Sequence, residues 1–292
     1  MKRAWNIWLA GGDMRQAKLA ELLARDGHGV HAWALEESGL DSLENLKREE
    51  TLSGLDRADC VVLPLPVLDQ MGRLNAPLSN LPRQVEEVLD AAGKESVLCG
   101  GMVNETLTAL AQARGLNIHD YFAREELAVA NSVPTVEGAI QIAMENMPIT
   151  LCGARVLVVG CGRIGKLLAV RMGALGAKVT VAARKYEQLA WAEAYGFHSE
   201  HIYQWLGYLC GYDLVVNTVP HQVLGVEELA DLKEGCLVID LASKPGGVDM
   251  DAAAQLGVQV IWALSLPGKV APVTAGAGIR TAIYNLMREL GA

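Results

Sequence analysis

The residues Gly160-Cys161-Gly162-Arg163-Ile164-Gly165 stand between a β-branched run, 156–159, and a segment, 166–175, whose apolar residues recur with helical spacing. A glycine-rich turn from a buried strand into a helix can cradle a pyrophosphate. Gly160 permits the tight turn, Gly162 lets the backbone approach the anion, and Gly165 lets helix and strand pack closely, while the first N–H groups of the helix point at the ligand. The strand expected next, over 177–183, ends in Ala183-Arg184-Lys185. An NAD site places a carboxylate there for the ribose 2′-hydroxyl. A guanidinium instead forks onto phosphate, so Arg184 favours NADP, with Lys185 adding charge and Arg163 placed for the diphosphate or the adenine side.

Two further strand ends carry polar residues. Asn217-Thr218-Val219-Pro220 ends a strand where the nicotinamide half of a dinucleotide passes and is expected to position its ribose, a plain strand terminator being the lesser alternative. Asp240 and Ser243 end the next strand and are expected to face the same crevice. A nicotinamide cofactor would carry the hydride chemistry, leaving the protein to place substrate and handle a proton.

These turns need a scaffold, and apolar patterning supplies one. In the first part of the chain strands are expected over 5–10, 29–34, 59–66, where prolines stop the strand, 96–101 and 116–118, with helices over 14–25, 82–92 and 104–114. The alternation predicts a flavodoxin-like parallel sheet with its functional loops at the carboxyl ends of the strands, at Gly11 to Gln16, at Leu63-Pro64-Leu65-Pro66 and at Gly100-Gly101-Met102. A charged connector is expected over 121–131. A helix over 134–147 follows, with Ser132 as cap, Pro134 in its first turn and Val136, Ala139, Ile140, Ala143 and Met147 on one apolar stripe. Further strands are expected over 213–217, 235–240 and 258–262, a helix over 188–195, and a final helix over about 274–290 that folds back on the first domain. The expected fold class is therefore α/β with two domains: 1–131 plus the C-terminal helix, about 274–292, for substrate and catalysis, and a Rossmann domain, 132–273, that includes the bridging helix 134–147. A cleft between them is the expected place for substrate.

Composition sets outer limits. The chain has 292 residues, 51% of them hydrophobic and 30 of them glycine, which suits buried parallel strands joined by tight turns. A net charge of −9 argues against nucleic acid or an anionic membrane as the main partner. The six cysteines lack CxxC spacing, so neither a metal site nor a disulfide framework is expected, and a reducing compartment is. Met1-Lys2-Arg3 opens a stretch whose apolar run is too short for a signal peptide, and no run reaches membrane-spanning length, so a cytoplasmic protein is expected.

Gly11-Gly12-Asp13-Met14-Arg15-Gln16, the run Thr135-Val136-Glu137-Gly138-Ala139-Ile140, the fingerprint, Asn217-Thr218-Val219-Pro220, the stretch from Asp240 through Ser243 to Asp249, and Leu266-Pro267-Gly268-Lys269-Val270-Ala271-Pro272 follow one another in that order. Together they resemble the A-subunit family of the dipicolinate synthases of spore-forming bacteria. The resemblance covers essentially the whole chain; the fingerprint is common to many dehydrogenases and the outer motifs are the specific part. It implies an NADP-dependent polypeptide that works with a flavoprotein-like B subunit, in the mother-cell cytosol during sporulation, on a branch of the lysine and diaminopimelate pathway. The reaction implied converts a dihydrodipicolinate-type intermediate into pyridine-2,6-dicarboxylate. Such a site binds two carboxylates and removes a proton near the ring.

On that implication Arg15 and Lys269 are the expected carboxylate anchors. Glu137 is expected either to transfer the proton or to orient Lys269, while a carboxylate near a helix N-terminus explains it nearly as well. His221, after Asn217-Thr218-Val219-Pro220, ranks below it. Asp13, Pro64, Gly101, Met102, Thr135 and Thr274 complete the substrate set, with the hydroxyls of Ser243 and Thr274 as donors to a substrate carboxylate. No metal is expected, and self-association stays open. Two alternatives also remain: a dehydrogenase of another small carboxylate, of the 2-hydroxy acid type, although 263–274 lacks the histidine such enzymes carry, and a non-catalytic nucleotide-binding protein.

Overall fold

The computed structural model describes residues 4–292; Met1, Lys2 and Arg3, which precede the first expected strand, lie outside the described residues. The chain divides into two compact units, Met1–Asn131 with Pro267–Ala292, and Ser132–Leu266.

The first unit contains β1 (Asn6–Ala10), α1 (Met14–Arg25), β2 (Gly29–Trp33), β3 (Leu46–Glu49), β4 (Cys60–Val62), α2 (Val85–Ala91), β5 (Val97–Gly100), α3 (Glu105–Gln112) and β6 (Ile118–Asp120). All pairings are parallel, in the order β3-β2-β1-β4-β5-β6. The strands expected from sequence take the flavodoxin-like order, second-first-third-fourth-fifth, and β3 adds an edge outside them. Its sequence, Leu-Lys-Arg-Glu, has no β-branched run because an edge strand faces solvent and carries charge. The alternation that defines a strand sorts the core into two layers. Ile7 and Leu9 point to the face packed by Leu19 and Leu23 of α1, and Trp8 and Ala10 to the face packed by Val88 of α2 and Leu107 of α3.

The second unit is built from β7 (Arg155–Val159), α5 (Arg163–Ala174), β8 (Lys178–Ala183), α6 (Tyr186–Ala194), β9 (His198–His201), β10 (Leu214–Asn217), α7 (Val226–Ala230), β11 (Leu237–Asp240), α8 (Met250–Leu256) and β12 (Gln259–Trp262). Its parallel order, β12-β11-β10-β7-β8-β9, is the doubly wound arrangement with its switch point between β7 and β10. β9, His-Ser-Glu-His, is a second polar edge strand that apolar patterning does not register.

Between β6 and β7 runs α4 (Glu125–Asn146). The expected connector over 121–131 and the expected cap at Ser132 are therefore corrected: the helix starts at Glu125, and Pro134 lies in its interior. Pro134 lacks an N–H for the carbonyl of Ala130, a defect of about 3 kcal/mol in an isolated helix. Packing offsets it, because Val136, Ala139 and Ala143 are buried in the core of the second unit and Leu127 in that of the first. The tail forms α9 (Leu266–Val270), a short helix beyond the expected elements, and α10 (Pro272–Glu289). In the first unit α10 lies against α1 so closely that a Cβ on Gly276 would stand 3.0 Å from the backbone O of Arg15 and N of Leu19. Among the described residues no helix is long and apolar enough to cross a membrane, and no group of His, Cys, Asp and Glu could hold a metal ion.

Candidate functional site

In the second unit the fingerprint turn joins β7 to α5, with Gly162 at the helix N-cap. Its three glycines answer to different constraints. Gly160 has φ +100°, open to glycine without strain, and a Cβ there would overlap the Thr218 hydroxyl; a Cβ on Gly165 would overlap the carbonyl of Gly160. A Cβ on Gly162 would meet nothing within 4 Å. Protein packing thus accounts for the outer two, and the space over Gly162 is what a pyrophosphate would fill. Arg163 opens α5 exposed, and Ile164 is partly buried against the core. Burial pushes the Cys161 thiol up, against the opposing pull of Lys166, so it stays protonated at neutral pH.

At the end of β8 Arg184 and Lys185 are exposed. Lys185 pairs with Glu187 at 3.5 Å, whereas Arg184 has no ion pair among the described residues.

Asn217 and Asp240, expected to face a cofactor, are engaged within the protein. Both are buried, at 0% and 1% exposure. Asn217 Nδ2 donates to Asp240 Oδ1 at 2.8 Å and to the Val219 carbonyl at 3.0 Å, and its Oδ1 accepts from Val219 N at 3.0 Å. Asp240 also accepts from Ala242 N at 3.0 Å and Gly247 N at 2.8 Å. Their polar atoms are used in shaping the loops after β10 and β11, which is how buried polar groups are normally satisfied. Thr218 Oγ1 donates to the Val159 carbonyl at 2.9 Å, fastening the same loop to the fingerprint strand. Pro220, His221 and Ser243 are exposed at the rims of these loops.

In the first unit Asp13 caps α1, accepting from Arg15 N at 2.9 Å. Its carboxylate also receives Arg15 Nε at 3.0 Å and Nη2 at 2.8 Å, and Nη2 donates to the Leu65 carbonyl at 2.5 Å. Arg15 is buried, and Nη1 is the guanidinium nitrogen without a hydrogen bond among the described residues. The tail reaches the same place: a Cβ on Gly268 would lie 2.9 Å from Arg15 Nε and 3.1 Å from Asp13 Oδ2. Two motifs more than 250 residues apart, Asp13 to Arg15 and Pro267-Gly268-Lys269, are therefore in contact, with Lys269 exposed beside them. Pro64 is buried, its carbonyl accepting from Gly101 N at 3.0 Å, and exposed Met102 adopts φ +61° with its N–H on Asp120 Oδ1 at 3.2 Å. Tyr121 fastens the floor, its hydroxyl donating to the Leu63 carbonyl at 2.9 Å with burial pushing its pKa well up. Thr274 is exposed near the start of α10.

Within the second unit Glu137 stands apart from the fingerprint turn. It sits on α4 in the second unit with its carboxylate 3.6 Å from Arg171, near the far end of α5 from the fingerprint, and half exposed. The i, i+4 spacing with Gln141 and Glu145 marks the rim of an apolar surface groove of about 850 Å³, lined also by Ile140, Met144, Leu167 and Val170. Thr135 lies on the same helix, partly buried. Sequence reasoning missed the Leu65 carbonyl that holds Arg15 and the Gly246-Gly247 turn that closes on Asp240; backbone partners leave no residue-type signal, though the glycine pair after a buried aspartate is one that could be read.

Residues 6–122 match the family model of the N-terminal domain of the dipicolinate synthase A subunit, and 110–255 match that of the D-isomer specific 2-hydroxyacid dehydrogenase, NAD binding domain. Over 98% of its length the chain is 30% identical to the dipicolinate synthase A subunit of Bacillus subtilis (strain 168), covering 97% of that protein. The chain belongs to the dipicolinate synthase A-subunit family. Two crystal structures of family members superpose on it: the dipicolinate synthase A subunit from Bacillus halodurans, with TM-score 0.88 and 30% identity over 96% of this chain and 97% of that one, and the dipicolinate synthase A chain from Bacillus subtilis, with TM-score 0.87 and 29% identity over 100% and 98%. This dipicolinate synthase A-subunit family member is accordingly a dehydrogenase-type oxidoreductase with a nicotinamide-dinucleotide-binding domain.

Proposed function

We propose that this chain performs the NADP-dependent dehydrogenation of a dihydrodipicolinate-type intermediate to pyridine-2,6-dicarboxylate, as the A subunit working with a flavoprotein-like B subunit. In this reading the unit Ser132–Leu266 holds the dinucleotide and the unit built on β1 holds the dicarboxylate. The observation that carries the cofactor assignment is exposed Arg184 at the end of β8, where an NAD site has an acidic residue. The family relationship carries the substrate class. The same reading places the work in the mother-cell cytosol during sporulation.

A dihydropyridine dicarboxylate becomes aromatic by losing one hydrogen with two electrons and a second as a proton. When bound, the nicotinamide supplies the acceptor for the hydride. This chain's residues bind and orient. Gly160, Gly162 and Gly165 with the first N–H groups of α5, helped by Arg163, hold the pyrophosphate side, Arg184 and Lys185 the adenosine ribose, and Thr218, Val219, Pro220 and Ser243 border the nicotinamide side. Arg15 Nη1 and Lys269 Nζ offer cationic donors to the two carboxylates, and Asp13 keeps the guanidinium in place. Pro64, Gly101, Met102 and Thr274 complete the substrate set of this reading. Glu137 takes the proton in this reading, with His221 ranked below it.

The test is to incubate the purified chain with the dihydrodipicolinate precursor and NADP+ or NAD+, with and without the flavoprotein-like partner, and to follow dipicolinate. The expected outcome is NADP+-dependent product, with Arg184→Asp weakening NADP+ at least about tenfold and NAD+ little. Equal weakening of both cofactors sinks the NADP assignment. Robust reduction of 2-oxo acids, the reaction type suggested by the match of 110–255, sinks the substrate assignment.

A further inference from the structure

The carboxyl edge of the second sheet continues beyond Arg184. β9 pairs with β8 so that His201 stands opposite Ala183, and Ile202 N donates to the Ala183 carbonyl at 3.3 Å. Three rings gather at this edge that none of the roles above uses. The ring of Tyr186, the first residue of α6, lies 5.1 Å from that of His201, and His201 lies 5.3 Å from Tyr203. Tyr186 and Tyr203 are each 74% exposed, so their rings leave π-faces open to solvent. Tyr203 N donates to His201 Nδ1 at 3.3 Å, and the uncharged imidazole therefore carries its proton on Nε2, free to donate elsewhere.

Position adds to composition. β7, β8 and β9 are adjacent parallel strands ending at one edge, with Val159 opposite Ala182 and Ala183 opposite His201. At about 4.8 Å per strand, His201 lies about 10 Å across the sheet from the fingerprint turn. A dinucleotide whose pyrophosphate sits at the start of α5 places its adenosine ribose at the end of β8, beside Arg184. The next groups outward, adenine and any phosphate on the 2′ oxygen, then meet the rings. Cationic and N–H donors beside exposed aromatic faces suit a base joined to a phosphate. The nearby charges allow it: Lys185 is paired with Glu187, and Arg184 keeps its charge for a ligand.

We infer that Arg184, Tyr186, His201 and Tyr203 form a subsite for a 2′-phosphorylated adenosine, with Arg184 and His201 Nε2 donating to the phosphate and Tyr186 stacking on the adenine. The inference rests on the NADP reading above and deepens it by naming the residues that read the phosphate and the base separately.

Isothermal titration of the full chain with NADP+, NAD+, 2′-AMP and 5′-AMP separates the two roles without any turnover. His201→Ala weakens NADP+ and 2′-AMP by about tenfold and leaves NAD+ and 5′-AMP unchanged, since only the phosphate contact is lost. His201→Gln, whose amide nitrogen can donate from a similar place, recovers most of that loss. Tyr186→Ala weakens all four by about tenfold, as loss of base stacking does, and Tyr186→Phe restores them. Unchanged NADP+ affinity in both His201→Ala and Tyr186→Ala overturns the subsite while leaving the NADP reading standing. Equal weakening of NAD+ and NADP+ by His201→Ala overturns the phosphate role. An unaltered chain that binds NADP+ no tighter than NAD+ overturns the NADP reading and the subsite with it.

Discussion

Asp13 holds the Arg15 guanidinium by a fork, Nε at 3.0 Å and Nη2 at 2.8 Å, while also capping the helix on which Arg15 stands. One carboxylate therefore sets both the start of α1 and the direction of its cation. Asp13→Ala is expected to destabilise the protein by about 2–4 kcal/mol, the sum of a lost cap and a charge left buried beside the Leu65 carbonyl. Urea unfolding measures it. A loss below about 1 kcal/mol would mean that solvent replaces the carboxylate.

Arg15→Lys keeps the charge and removes the fork. Under the proposed function the KM for the dicarboxylate rises about tenfold or more, while NADP+ affinity, measured by titration, is unchanged. An unchanged KM removes Arg15 from substrate binding.

The glycines of the fingerprint separate folding from binding. Gly165→Ala drives a methyl group into the Gly160 carbonyl and is expected to cost about 2 kcal/mol or more of stability. Gly162→Ala, with φ −84° and open space, leaves the melting temperature intact and lowers dinucleotide affinity. Thermal melts with parallel titrations read both; a Gly162→Ala chain that binds normally shows that the pyrophosphate does not pass over that residue.

Asp240→Ala leaves one N–H of Asn217 Nδ2, Ala242 N and Gly247 N without an acceptor. The expected cost is about 3 kcal/mol or more. A variant that folds as stably as the parent, with only cofactor binding impaired, would return Asp240 to the cofactor site.

Acid sensitivity has a named contributor in Asp213. Desolvation by burial raises its carboxyl, but the hydrogen bonds from the Lys233 ammonium and from Arg155 N outweigh it and the net shift is downward. A carboxyl lowered in the folded state contributes stability above its unfolded value, about 3.9, and loses it as pH falls through the folded value. The stability gap between the parent and Asp213→Asn is therefore full above about pH 4 and closes below it. Denaturation series across pH 2.5–6, on the order of the window in question, check this; a gap independent of pH removes Asp213 from the acid limb.

How far the site could be read depended on what each residue answers to. The turn at Gly160 to Gly165 is local chemistry, and its spacing alone places it between a strand and a helix. Asn217 and Asp240 are polar residues at strand ends, where a ligand-facing side chain and a loop-shaping one have the same local signature. Only the three-dimensional course of 217–220 and 240–247 shows their hydrogen bonds spent within the protein. Glu137 was legible as one face of a helix, but which neighbour that face meets, Arg171, is a matter of packing.

By itself, then, the sequence determined the alternating elements, the dinucleotide turn and the positive strand end at Arg184, because periodicity and turn chemistry act within a few residues. The tertiary structure decided the rest. Charged edges such as β3 and β9 become strands only when a neighbour supplies the hydrogen bonds, Pro134 stays inside α4 because packing on either side outweighs one lost bond, and Gly268 reaches Arg15 because α10 packs on α1. Each of these is set by contacts between residues far apart in the chain, which no local pattern records.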